Sequence, residues 1–170
     1  MNYDKGYFDS PEFRGLLMKY EQAMKIGTTP YMGGDELTDI LSYYLSIDRP
    51  EAAEEVLATA KRLHPSTPEC TKMEIKLLLC KGKPEKALKL FPSLGYSDDE
   101  TKILQAEVLL ALKEFRYAHD IAIDILQRAK PGQENIYDAL EILIDCGFAQ
   151  EALFICEKAL KATPKQKSLH

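Results

Sequence analysis

The stretch DCGFAQEALFICEKALKATP (145–164) has a near twin in IDRPEAAEEVLATAKRLHP (47–65), and KGKPEKALKLF (81–91) follows the same order of residues in shorter form. A fourth stretch, KEFRYAHDIAIDIL (113–126), fits more loosely. Aligned, the four place Ala53, Ala87, Ala118 and Ala152 at intervals of 34, 31 and 34 residues. A period near 34 with helical patterning on either side is the signature of stacked helix-turn-helix repeats. The expected fold is therefore all-α, and a chain of this kind works by holding other molecules.

Working outward, each copy follows one grammar. Ser10-Pro11-Glu12 reads as an N-cap, a first-turn proline and a first-turn acid, opening a leading helix over residues 11–26. Its apolar stripe is Phe13, Leu16, Leu17, Tyr20 and Met24, and Gly27 closes it. Four helix pairs follow, at about 35–67, 68–97, 98–131 and 132–164, leaving a polar tail at 165–170. Turns fall at Asp48-Arg49-Pro50, Gly82-Lys83-Pro84 and Gly147, with Pro131-Gly132 separating the last two pairs. Pro92 and Gly95 cut one helix short, which accounts for the interval of 31. The total is nine helices, and no stretch sustains the two-residue alternation of a strand. The aromatic approach, Tyr3, Tyr7 and Phe8, is expected to lie over the first pair.

Composition narrows the function. The chain has 170 residues, a net charge of −5 and a pI near 5.3. A nucleic-acid binder carries a basic excess or stripe, and none is visible. Uninterrupted apolar runs, such as Leu77-Leu78-Leu79-Cys80, are no longer than five residues and far too short to span a bilayer, and the polar, acidic start lacks a secretory leader, so the expected compartment is the cytoplasm. Cys70, Cys80, Cys146 and Cys156 lie in helical patterns without metal-type spacing and read as buried thiols. The three histidines, His64, His119 and His170, stand apart, and there is no phosphate loop and no H-E-x-x-H. These residues predict no enzyme, no metal and no cofactor.

The pattern resembles the tetratricopeptide repeat, of bacterial type, over residues 35–164. In that family a first helix of the form W-x₂-L-G-x₂-Y is followed by A-x₃-F and a later proline. Leu37, Ile40, Leu41 and Tyr44 precede Ala53, Leu57, Ala60 and Pro65; Ile136, Ala139, Leu140 and Leu143 precede Ala152, Cys156, Ala159 and Pro164. The family's small first-helix glycine is replaced by Leu41, Ile75, Ala106 and Leu140. The resemblance implies an α-α superhelix, a solenoid of four helical hairpins behind a leading helix, that binds a peptide or partner helix in a concave groove without catalysis.

Carried over by position, that groove would be lined by Thr38, Ser42 and Leu45, then Lys72, Lys76 and Leu79, then Ile103, Glu107 and Leu110, and finally Tyr137, Glu141 and Ile144. Lys72 and Lys76 would make its middle positive, while Glu100, Glu107, Glu134, Glu141 and Asp145 would make its far half acidic, suiting a partner with a basic stretch. The family's cationic clamp for chaperone tails is not matched, since the corresponding places hold Thr38, Ser42, Met73, Glu100 and Leu104. The alternative function is self-association, a homodimer through an apolar end face made by Leu153, Phe154 and Leu160.

Overall fold

The computed structural model describes residues 5–95, 98–130, 133 and 135–162, and for Lys5 and residues 159–162 the backbone alone. Among these residues the chain is all helical, with no strand. The order is α1 (Lys5–Phe8), α2 (Pro11–Lys25), α3 (Gly34–Ser46), α4 (Pro50–Leu63), α5 (Pro68–Cys80), α6 (Pro84–Leu88), a 3₁₀ turn (Phe91–Leu94), α7 (Asp99–Ala111), α8 (Phe115–Arg128), α9 (Asn135–Asp145) and α10 (Ala149–Ala162). The one helix the sequence reading lacks is α1, a single turn. Tyr3, Pro131-Gly132, Glu134 and the tail lie outside the described residues.

Capping chemistry sets the starts. Ser10 Oγ accepts from the Phe13 amide at 3.1 Å, and Asp98 Oδ1 accepts from the Thr101 amide at 2.7 Å. Gly33 has no side chain to offer, so Glu36 reaches back to accept from the Gly33 amide at 2.7 Å. Prolines occupy the first turns of α2, α4, α5 and α6, where a missing N–H costs nothing.

The helix ends show the repeat most plainly. After α3, α5, α7 and α9 the chain turns at Asp48, Gly82, Lys113 and Gly147, all with positive φ (56°, 64°, 62° and 89°). At each turn the next amide bonds back five residues: Arg49 to Tyr44 O, Lys83 to Leu78 O, Glu114 to Leu109 O and Phe148 to Leu143 O, at 2.8–2.9 Å. The turn residue's own amide reaches the carbonyl three residues earlier. This is the Schellman pattern, which satisfies the last carbonyls of a helix while reversing the chain. Its four copies carry the same 34, 31, 34 spacing as the alanines. The missing three residues are lost at α6, where Pro92 cannot continue the helix and the chain tightens into the 3₁₀ turn ending at Gly95, φ 72°.

The chain divides into two compact units, residues 1–97 and 98–170. In the first, α3 pairs with α4 and α5 packs against both, with α6 and the 3₁₀ turn against α5. Its core holds Phe13, Leu37, Ile40, Leu41, Ala53, Val56, Ala60 and Met73, all fully buried. In the second, α7 pairs with α8, α9 packs against both, and α10 packs on α9. Its core is made by Ala106, Val108, Ala118, Ala122, Ile125, Ala139 and Leu143. Ala53, Ala87, Ala118 and Ala152 are each at most 4% exposed, as close helix contacts require. Burying one Leu or Ile side chain in these cores contributes about 1.5–3 kcal/mol before entropy.

Aromatic residues close the front of the first unit. Phe8 lies 4.8 Å from Phe13, and Phe13 5.2 Å from Tyr43, ring centre to ring centre. Two hydroxyls of this region have carboxylate acceptors: Tyr7 donates to Asp39 at 2.7 Å and Tyr44 to Glu21 at 3.0 Å. The thiols differ from expectation. All four are free, but only Cys70 is buried; Cys146 and Cys156 are half-buried and Cys80 is exposed. The helical patterns hold there, but Cys80 ends α5, where solvent reaches the last turn.

Candidate partner-binding face

The positions assigned to a groove fall into two sets, one in each unit. In the first unit α3 and α5 lie side by side. Thr38 is half-buried and donates to its own helix, to Gly34 O at 2.9 Å. Ser42 is 1% exposed, Lys72 7% and Lys76 9%. Lys72 and Lys76 are therefore buried, while Leu45 and Leu79 at the ends of the two sets are half-buried.

The second unit presents the same positions differently. Ile103, Glu107 and Leu110 of α7 are half-buried. On α9, which packs beside α7, Glu141 is half-buried between Tyr137, 72% exposed, and Ile144, 54% exposed. Spacings of four and three residues keep these three on one helical face. An aromatic ring, a carboxylate and an aliphatic side chain thus form a strip along α9, opposite its buried side at Ala139, Ile142 and Leu143.

The proposed end face is in part visible. Leu153 is 53% and Phe154 65% exposed on α10, while the Leu160 side chain lies outside the described residues. The 34-residue register makes Leu153 the counterpart of His119 on α8. His119 is engaged: its Nε2 lies 3.0 Å from Glu151 Oε2 of α10, its Nδ1 3.2 Å from Asp120 Oδ1, and its ring centre 4.5 Å from that of Phe148. One turn earlier on α8, the Cys146 thiol donates to Phe115 O at 3.4 Å.

Charged side chains tie α8 to the helices beside it. Lys102 of α7 meets Asp124 at 2.8 Å, and Arg128 bridges Asp124 at 2.8 Å and Asp99 at 3.1 Å. Asn135 donates to the other oxygen of Asp99 at 2.8 Å, which brings the start of α9 into the same network. The donors from Arg128 and Lys102 hold the Asp124 carboxyl down at about 2.

Among the described residues no group of three His, Cys, Asp or Glu side chains could hold a metal ion, and no helix is long and apolar enough to cross a membrane. Compared with protein-family models, curated proteins and solved structures, the chain matches none.

Sequence reasoning missed the His119–Glu151 link, though the signal was present: 32 residues separate them, nearly one period. It also missed the difference in exposure between the α3–α5 and α7–α9 faces, because burial of a lysine is a tertiary outcome that residue type argues against.

Proposed function

We propose that this chain is a non-catalytic binding protein of the tetratricopeptide-repeat type, each unit a stack of two helical hairpins, and that it docks a peptide or partner helix bearing a basic stretch on the inner face of α7 and α9. The observation that carries this reading is the strip Tyr137, Glu141 and Ile144, where exposed apolar surface flanks a carboxylate. A cationic side chain suits this strip, since aromatic faces and acids both attract cations. The fourfold Schellman turn supports the repeat assignment, because it fixes every hairpin in the same hand and spacing.

The test is partner capture from the source cell with the full chain and with the double variant Glu107→Lys/Glu141→Lys. A partner whose contact region is basic should be held by the parent and lost by the variant, with the variant still folded by circular dichroism. A partner held equally by both overturns the reading.

A second reading, self-association through α10, is favoured by the exposure of Leu153 and Phe154 side by side. Sedimentation of the parent and of Leu153→Ser/Phe154→Ser separates the two readings. A parent dimer that the variant lacks supports this one; a parent that stays monomeric at high concentration removes it.

A further inference from the structure

The junction between α8 and α10 is built around one imidazole, and the chemistry of its neighbours fixes the proton count it needs. Both ring nitrogens of His119 face carboxylate oxygens, Glu151 Oε2 at 3.0 Å and Asp120 Oδ1 at 3.2 Å. An ionised carboxylate only accepts hydrogen bonds, and a neutral imidazole carries one N–H. The neutral ring therefore satisfies one carboxylate and turns a lone pair toward the other. The imidazolium, with two donors, satisfies both.

The geometry points to His119 as a proton-dependent latch that holds the last hairpin, α9–α10, onto α8, tight when the ring is doubly protonated and loosened when it is neutral. The groups around it agree. Glu151 comes from α10 and Asp120 from α8 itself; at the α9–α10 turn stand Asp145 and Cys146, whose thiol burial pushes up. Arg116 lies one turn before His119 on α8. The charged groups of α7 that meet α8, Asp99 and Lys102, are engaged further along it with Arg128 and Asp124. Burial of the ring works against its charge, yet the hydrogen bonds and charges of Glu151 and Asp120 outweigh that cost and raise its proton affinity. A histidine raised in the folded state stabilises fully below its unfolded value, about 6.5, and loses that contribution as pH rises through the higher folded value.

The same register position shows how specific the device is. The counterparts of His119 are Glu54, Leu88 and Leu153. In the first unit Glu54 pairs with Lys81 and Lys61 with Glu74, bridges that contain no imidazole. Among the described residues His119 meets carboxylates at both ring nitrogens, whereas His64 in the first unit meets a backbone carbonyl, Met32 O at 2.8 Å.

Two measurements on the full chain test the latch. By NMR, the His119 ring should titrate with a midpoint above about 6.5 in the parent and at a lower pH in Glu151→Gln. By hydrogen exchange corrected for intrinsic rates, α10 amides should lose protection several-fold between pH 6 and 8.5 relative to α7 amides. His119→Gln should abolish that pH dependence. A midpoint at or below 6.5, or an α10 protection ratio that does not change with pH in the parent, overturns the inference. Should His119→Gln fail to fold, the Glu151→Gln titration decides alone.

Discussion

The two units use one hairpin and cover it in opposite ways. In the first, a leading aromatic helix closes the front, and on the α3–α5 face Ser42, Lys72 and Lys76 are almost wholly buried. In the second, the same positions leave Tyr137 and Ile144 in solvent, and α10 exposes Leu153 and Phe154. The lesson is that the repeat fixes the backbone while single side chains decide whether a face is a core or a docking surface. A lysine at an inner position can be drawn inside one hairpin stack, while a tyrosine at the matching position of the other points outward.

The largest effect should come from the sealed front. Phe13 is fully buried at the centre of the Tyr7, Phe8 and Tyr43 cluster, so Phe13→Ala should cost about 3–5 kcal/mol in denaturant unfolding. The loss should appear in the first unit's amide protection and leave the second unit's unchanged. A loss shared equally by the second unit would break the contrast.

Next come the close helix contacts. Ala53→Leu should destabilise by about 1–3 kcal/mol through overpacking. Ala152→Leu should fall toward the lower end, because the hairpin it belongs to has an open outer side. Melts of Ala152→Leu that match the parent would show that this contact is not close.

The turns sharpen the comparison further. Gly147→Ala should cost about 1 kcal/mol, since its φ of 89° strains any side chain. Lys113→Gly should fall within about 0.5 kcal/mol of the parent, relief at φ 62° offsetting the added freedom of glycine when unfolded. Two equal losses would contradict the shared turn geometry.

The smallest effects are in pH. In the first unit the Tyr7 hydroxyl, bonded to Asp39 and partly buried, is pushed up to about 12. Its contribution is complete below the unfolded value near 10 and fades as pH climbs through the folded one. The α1–α3 contact should therefore loosen only above pH 10, far beyond the window of His119 in the second unit. Tyr7→Phe should remove the alkaline loosening seen by hydrogen exchange.

Most of the fold was legible because it is local. Ser10, Pro11, Pro50, Pro68 and Gly147 mark helix ends through their own backbone chemistry, and the alanine period marks the pairing. The turn at Asp48-Arg49-Pro50 was legible from its proline, but the left-handed backbone at Asp48 and Lys113 was not, since neither residue announces it as glycine does. The inner face was legible as positions but not as exposure. Thr38, Ser42, Lys72 and Lys76 share a helix face by spacing alone, yet their burial depends on what packs above them. His119 was visible as an isolated histidine, but a spacing near one period did not by itself say that its ring meets Glu151.

The contrast between the two inner faces can be read directly by side-chain labelling of the native chain with site-resolved mass spectrometry. Lys72 and Lys76 should acylate far more slowly than exposed Lys83 and Lys89, while Tyr137 should iodinate as readily as Tyr31 and much faster than Tyr20. Lysines 72 and 76 reacting at the rate of Lys83, or Tyr137 as protected as Tyr20, would contradict the account.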